Sequence, residues 1–298
     1  MTGPCFTVFT PTFNRAATLP DVYSSLRVQT FGDFEWLIVD DGSTDATAQL
    51  ISGWQQESRL KIRYFRQSNA GKHAAFNRGV SEAYGDLFLP LDSDDTLPDS
   101  ALETFRNRWL EIPEELRSEF SGVTCQCVDE RGGIVGTPLL TAFVDGYPSE
   151  VVSSLGLRGE RFGFHRTSIL KQFPFPVLEG ERFVPEGLIW NRIGKQYKIR
   201  FIADTLRVYR DSSDGLSASM TQIRRRSPRG TTLYYLEAMD NSRSVGVRFR
   251  HAINACRFAL NPPARRLIDP FWQRHFLILS VALPLGRMIG FVDGRLNS

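Results

Sequence analysis

Cysteine is scarce, and the four thiols at Cys5, Cys125, Cys127 and Cys256 follow no framework spacing. A disulfide-stapled scaffold is therefore not expected. Cys125-Gln-Cys127 also lacks a second ligand pair nearby to complete a tetrahedral zinc site, so the cysteines read as buried strand thiols. The opening Met1-Thr-Gly-Pro-Cys-Phe-Thr-Val-Phe-Thr10 carries neither a basic leader nor a long apolar stretch, which leads us to expect a cytoplasmic location. Internal repeats and low-complexity tracts are missing as well. What remains, 42% hydrophobic and 23% charged over 298 residues, is the composition of a globular protein with one large domain and an extension.

Lysine is absent from residues 221–298, which hold 13 arginines and 4 acidic residues for a net of +9. The whole chain carries +3, so residues 1–220 carry −6. We expect one main domain over 1–220 and a basic helical extension over 221–298. An acidic first part suits metal binding; a basic tail suits a polyanion or an anionic membrane face, or else is a solvated helical surface. The apolar run from Phe276 to Gly286 falls short of the roughly 18 to 20 residues that span a bilayer, so a simple crossing is not expected. With Phe271 and Trp272 ahead and Arg265, Arg266, Arg274 and Arg287 around it, the run either lies in the interface of an anionic membrane or packs onto protein.

Apolar strand runs at Cys5 to Thr10, Phe34 to Val39, Lys61 to Phe65 and Asp86 to Leu91 alternate with helical patterns from Thr18, Asp45 and Gly71. This βαβαβαβ order predicts an α/β fold with a mostly parallel sheet, which binds ligands beyond the carboxyl ends of its strands. The polar clusters Thr10 to Asn14, Asp40 to Thr44 and Asp92 to Asp95 all fall there. Beyond Asp95 the alternation loosens, with a helix at Ser100 to Leu110, strand-like runs at Gly122 to Val128 and Arg161 to His165, and a helix at Pro185 to Gly194.

Asp92-Ser-Asp94-Asp95 packs three carboxylates directly after an apolar strand, and their mutual repulsion calls for a cation. Hard carboxylate oxygens suit Mg²⁺ or Mn²⁺ in a site left open for phosphate; the other reading makes Asp95 or Asp99 a cap for the next helix. In Asp40-Asp-Gly-Ser-Thr44 a strand-end carboxylate is placed to accept a pyrimidine imide N–H, although Asp-Gly and Ser-Thr are also ordinary turn chemistry. Gly71-Lys72 opens a helix, and a helix N-terminus beside a cation favours phosphate; the spacing is not that of a P-loop. His73 and His165 read as packing residues.

Together, Thr10-Pro-Thr-Phe-Asn-Arg15, Leu37-Ile-Val-Asp-Asp-Gly-Ser-Thr44, Asn69 to Gly79 and Leu91-Asp-Ser-Asp-Asp95 resemble the family 2 glycosyltransferases over roughly residues 4 to 210. The resemblance implies a GT-A fold, a nucleotide diphosphate-sugar donor, a divalent metal and inversion at the anomeric carbon. It also implies a saccharide or lipid-linked saccharide acceptor in cell-surface glycan synthesis; no nucleic-acid partner is expected, and any peripheral membrane contact is expected through the C-terminal extension. Carried over by position, Thr10, Pro11, Thr12 and Arg15 line the nucleotide pocket and Asp40 reads the base, favouring UDP or dTDP. Lys72 faces phosphate, Asp92 and Asp94 face the ribose and the metal-diphosphate, and Asp95 is an alternative ligand.

The sequence departs from the family on the acceptor side. Phe183-Val-Pro-Glu186-Gly-Leu-Ile-Trp190 offers one carboxylate where the family often has an acidic pair, making Glu186 the expected general base and Glu179 or Glu181 the substitutes. No Gln-X-X-Arg-Trp segment is present, so a single-addition enzyme is expected over a processive one. A nucleotidyltransferase would carry a glycine-rich basic loop after the first strand, where this chain has Thr10-Pro-Thr-Phe-Asn14. A non-catalytic nucleotide- or carbohydrate-binding module is the competing reading.

Overall fold

The computed structural model describes residues 3–210, 220–242 and 244–296. Strand and helix alternate through β1 (Phe6–Thr12), α1 (Leu19–Arg27), β2 (Phe34–Asp40), α2 (Thr47–Glu57), β3 (Ile62–Arg66), α3 (Lys72–Glu82) and β4 (Leu87–Pro90). β1 and β2 are buried along their whole length, which explains their largely apolar runs: both faces of the sheet are covered, and the buried Glu35 accepts from the Thr7 hydroxyl at 2.7 Å. On one face Tyr23 of α1 stacks on Trp54 of α2 at 4.5 Å and beside Trp36 of β2. On the other, α3 comes so close that a Cβ at Gly79 would stand 2.3 Å from the Phe9 ring. Only glycine allows that approach.

The chain continues through α4 (Ala101–Leu110), β5 (Phe120–Asp129), β6 (Phe143–Gly146), α5 (Pro148–Ser154), β7 (Arg161–Arg166), α6 (Thr167–Leu170), α7 (Gly187–Gly194) and β8 (Lys198–Tyr209). The eight strands form one sheet in the order β3-β2-β1-β4-β7-β5-β8-β6. β3, β2, β1 and β4 run parallel, and β7 enters antiparallel beside β4. The mixed, mostly parallel sheet matches the expected α/β class. β6 and β8 were not anticipated. β6 is short and largely exposed, while β8 carries Arg200, Asp204 and Arg207 amid its apolar residues. Their charge is absorbed locally: Arg200 reaches Asp145 of β6 at 2.7 Å and lies over the Phe143 ring.

Two compact units result, Met1–Pro174 with Arg192–Ser213, and Phe175–Asn191 with Asp214–Ser298. The second contains α8 (Met220–Arg226), α9 (Pro228–Asn241), α10 (Val245–Phe258), α11 (Pro262–Arg265) and α12 (Asp269–Leu296). Leu236, Met239, Ala252, Cys256, Leu279 and Ala282 belong to its own apolar core. α12 lies directly on α10, since a Cβ at Gly286 would meet the Ile253 carbonyl at 2.5 Å and one at Gly290 the Arg257 carbonyl at 2.6 Å. At His275 the backbone leaves helical geometry (φ −128°, ψ 28°), and the imidazole sits between Asp240 Oδ1 at 2.8 Å and Arg248 Nη2 at 3.1 Å.

Two expectations need correction here. Cys125 and Cys127 are buried in β5 as read, but Cys256 is buried in a helix, α10, and Cys5 is half-buried just before β1. The length argument against a membrane crossing also does not hold: Asp269–Asp293 is a 25-residue helical stretch holding an 18-residue window of mean hydropathy 1.7, enough to cross by length and composition. Counting uncharged residues alone missed it, because the helix runs on through Arg287.

Candidate functional site

Strand register brings the polar clusters to one edge. Thr12 pairs with Asp40 and Asp40 with Arg66, while Phe9 pairs with Pro90, so the loops after β1, β2 and β4 leave the sheet together. These are carboxyl ends of parallel strands, where α/β sheets bind their ligands.

The loops are fastened to one another by side chains. Asn14, in left-handed conformation (φ 53°), accepts from Thr44 N at 2.8 Å, and its own N–H donates to Ser43 Oγ at 2.9 Å. Arg15 N donates to Thr47 Oγ1 and Ala16 N to Asp45 Oδ2. Asp41 accepts from Gln67 Nε2, Ala70 N and Gly71 N at 2.8, 2.9 and 2.7 Å, tying the β2 loop to the start of α3. Gly71 must be glycine or nearly so, because its φ of 95° precedes α3 directly. Thr18 precedes α1, but its hydroxyl donates to the Ser93 carbonyl at 2.7 Å and does not cap the helix. Asp95 and Asp99 are not caps either; α4 follows Ser100 without a side-chain cap.

On this frame cations and carboxylates from different loops meet. Lys72 Nζ lies 2.7 Å from Asp92 Oδ1, and Arg15 Nη2 lies 3.7 Å from Asp94 Oδ2. Burial opposes the charge on Asp92, but Lys72, then Arg207 and Arg15, hold its carboxyl below the usual range. Asp95 is buried to 2% exposure, 3.4 Å from Arg207 Nε, and accepts from Arg210 N at 3.2 Å. Burial pushes the Asp95 carboxyl up to about 7 despite that arginine, with Asp92 and Asp94 adding repulsion.

Other predicted residues sit deeper. Asp40 is fully buried, with Oδ1 accepting from Ser43 N and Oδ2 from the Tyr64 hydroxyl, each at 2.7 Å. Both oxygens thus hold protein donors. Thr10 is buried and accepts from Trp36 Nε1 at 3.0 Å, and Pro11 is buried beside it. The Thr12 hydroxyl is buried with no hydrogen-bond partner among the described residues, as at a site awaiting a polar ligand group. Burial lowers the His165 imidazole to about 4, so it is neutral at physiological pH, in keeping with a packing residue.

Asn14, Asp41, Tyr64 and Arg207 were missed as site residues. Asn14 and Asp41 lay inside motifs already singled out, and Arg207 stands in a strand that charge concealed.

Glu186 belongs to the second unit, where it immediately precedes α7 and is exposed. Glu181 is buried, accepting from Arg229 N at 2.8 Å, Arg229 Nε at 3.1 Å and Gly230 N at 2.9 Å. It is therefore spent on the start of α9. Glu179 is exposed.

The donor set fits a divalent cation. Asp92 and Asp94 are hard oxygen donors two positions apart, partly exposed, and balanced here by cationic side chains. Among the described residues no three Asp, Glu, His or Cys side chains close into a cage, so phosphate oxygens or water would have to complete the coordination.

The first unit has the architecture of a GT-A fold. Residues 7–116 match the model for glycosyl transferase family 2. A PGL/p-HBAD biosynthesis glycosyltransferase of Mycobacterium bovis is 39% identical over 97 residues, 33% of this chain and 38% of the relative. A GalNAc(5)-diNAcBac-PP-undecaprenol beta-1,3-glucosyltransferase of Campylobacter jejuni is 27% identical over 217 residues, 70% of this chain and 65% of the relative. The chain thus spans less than two thirds of either relative. Among solved structures, the mannosyltransferase PcManGT of Pyrobaculum calidifontis, in complex with GDP-Man and Mn²⁺, superposes with a TM-score of 0.58 at 17% identity, covering 98% of this chain and 88% of that one.

Proposed function

We propose that the protein transfers a sugar from a nucleoside diphosphate-sugar to an acceptor hydroxyl, with inversion, in bacterial cell-surface glycan synthesis. The observation that carries this reading is the meeting of Lys72 with Asp92 and of Arg15 with Asp94 at the carboxyl edge of β1, β2 and β4. Opposed cations and carboxylates of this kind suit a ligand that is itself anionic and arrives with a metal ion. The relatives' names, one of them a transferase acting on an undecaprenol-linked glycan, support a saccharide or lipid-linked saccharide acceptor.

In this reading Thr10, Pro11 and Thr12 floor the nucleoside pocket, and Asp92 meets the ribose. Lys72 and Arg15 exchange their carboxylate partners for the diphosphate and offset its charge as it leaves. Asp94 would hold Mg²⁺ or Mn²⁺, with Asp95 fixing the loop behind it; the metal, when bound, supplies further charge neutralisation to the leaving group. Glu186 takes the proton of the acceptor hydroxyl. The acceptor oxygen then bonds to the anomeric carbon, and the bond to the phosphate oxygen breaks, its electron pair leaving with the diphosphate.

The test is calorimetric binding of UDP, dTDP and GDP with Mn²⁺ or Mg²⁺, followed by release of nucleoside diphosphate from the matching sugar nucleotides. UDP and dTDP come first on the imide argument. GDP is included because Asp40 already spends both oxygens on Ser43 and Tyr64. Failure of every nucleotide to bind would sink the proposal, and tight binding without turnover on any acceptor would favour the non-catalytic module.

A further inference from the structure

We infer that the outer face of α12 docks in the plane of an anionic lipid bilayer. Leu277, Val281, Leu285, Met288 and Val292 recur at steps of four, four, three and four, which is one face of a helix, and all five are exposed. Leu277 is 79% exposed, and Phe276 and Phe291 flank the stripe at 55% and 60%. At 1.5 Å per residue the stripe is roughly 22 Å long. An apolar surface of this extent, left open on the unit's own helices, marks an interaction site. Only 28% of the apolar window is buried, whereas the core helix of a globular protein is mostly buried.

Charge selects the occupant. Arg274 and Arg287 are exposed on α12 itself, and Arg265 and Arg266 are exposed just before it in the chain. Two acids near the stripe are already engaged, Asp293 with Arg257 at 2.6 Å and Asp240 with His275 at 2.8 Å and Arg274 at 3.8 Å, and the exposed Asp269 at the start of α12 is outnumbered by these arginines. A second copy docked on the same face would press one arginine-rich surface against another, since residues 221–298 carry +9. Anionic headgroups instead offset that charge while the stripe enters the acyl boundary.

Packing selects the orientation. The opposite side of α12 is held against α10 by Gly286 and Gly290, with Leu279 and Ala282 buried in the unit's core. A spanning helix would have to abandon that contact and carry the charged Arg287 into hydrocarbon. Lying flat keeps the contact and leaves Arg287 at headgroup level.

The full chain is sedimented with vesicles of pure phosphatidylcholine and with vesicles containing about 30% phosphatidylglycerol, at about 0.1 M and about 1 M salt, where the screening length falls from about 10 Å to about 3 Å. Partitioning is expected to be at least about tenfold stronger on the anionic vesicles at low salt. L277E/V281E should lower it by about tenfold or more, with unchanged circular dichroism because both positions are exposed. R266E/R287E should erase the preference for anionic lipid. Equal partitioning of parent and L277E/V281E, or no association with anionic vesicles at low salt, would overturn the inference. So would a dimer in sedimentation equilibrium that L277E/V281E abolishes, which would assign the face to a second copy.

Discussion

Lys72 Nζ and Asp92 Oδ1 stand 2.7 Å apart, although one opens α3 and the other follows β4. Under the proposed donor reading, an arriving diphosphate would take the ammonium, and the carboxylate would gain a sugar hydroxyl. Lys72→Met should therefore weaken UDP binding by about 10- to 100-fold, the loss of one charge-assisted contact of about 1.5 to 3 kcal/mol. Titration calorimetry of parent and variant at fixed Mn²⁺ measures it, and equal affinities would remove Lys72 from the site.

Divalent ion should be required for tight nucleotide binding, because two phosphates facing Asp92 and Asp94 repel them without it. Asp94→Asn should bind UDP weakly and almost equally with Mn²⁺ and with chelator, whereas the parent should lose affinity sharply on chelation. A variant that keeps the metal response would assign the ligand elsewhere on the loop.

Glu186 and Glu181 should separate cleanly. Glu186→Gln should leave donor affinity in place and reduce transfer by roughly 10² to 10⁴, as expected for removal of a general base. Glu181→Ala strands Arg229 and the Gly230 N–H, and should instead destabilise the C-terminal helices by about 3 to 5 kcal/mol without altering donor binding. Transfer rates under donor saturation, beside urea unfolding curves, distinguish the two; near-parent transfer by Glu186→Gln would shift attention to Glu179.

The His165 imidazole is depressed by burial to about 4, from an ordinary value near 6.5. The unfolded chain then binds the proton more readily than the folded one, so stability is full above about pH 6.5 and is lost as pH falls toward 4. The slope from this group approaches about 1.4 kcal/mol per pH unit. Urea midpoints across that window should fall for the parent and fall less for His165→Gln; parallel curves would show that other groups govern the acid limb.

Much of the first unit was readable because its physics is local. Phe6 to Thr12 and Phe34 to Asp40 are mostly apolar or β-branched, and their closing polar residues mark the strand ends where such sheets bind ligands. The pairing of Asp92 with Lys72 was not readable, since it depends on two loops converging. β8 was hidden because Arg200 and Arg207 break its apolar pattern and find their partners, Asp145 and Asp95, far away in sequence. Asp40 shows a third kind of limit. Its position after a strand suggests an exposed acceptor, yet Tyr64 from the neighbouring strand occupies one oxygen and Ser43 the other. For α12, composition alone could not reveal which side is covered; Gly286 and Gly290 decide it by letting α10 approach.

The bonds from Asn14, Asp41 and Asp45 across the first unit's loops join segments that would otherwise flex independently. Their backbone N–H groups are held by carboxylates and amides of other loops, so releasing one loop exposes donors on its neighbour. The crevice should accordingly open as a single cooperative piece, with a rim that resists piecemeal fraying. A ligand bound there would meet a socket whose ordering entropy was lost on folding, and little of its binding energy would be spent on arranging the walls.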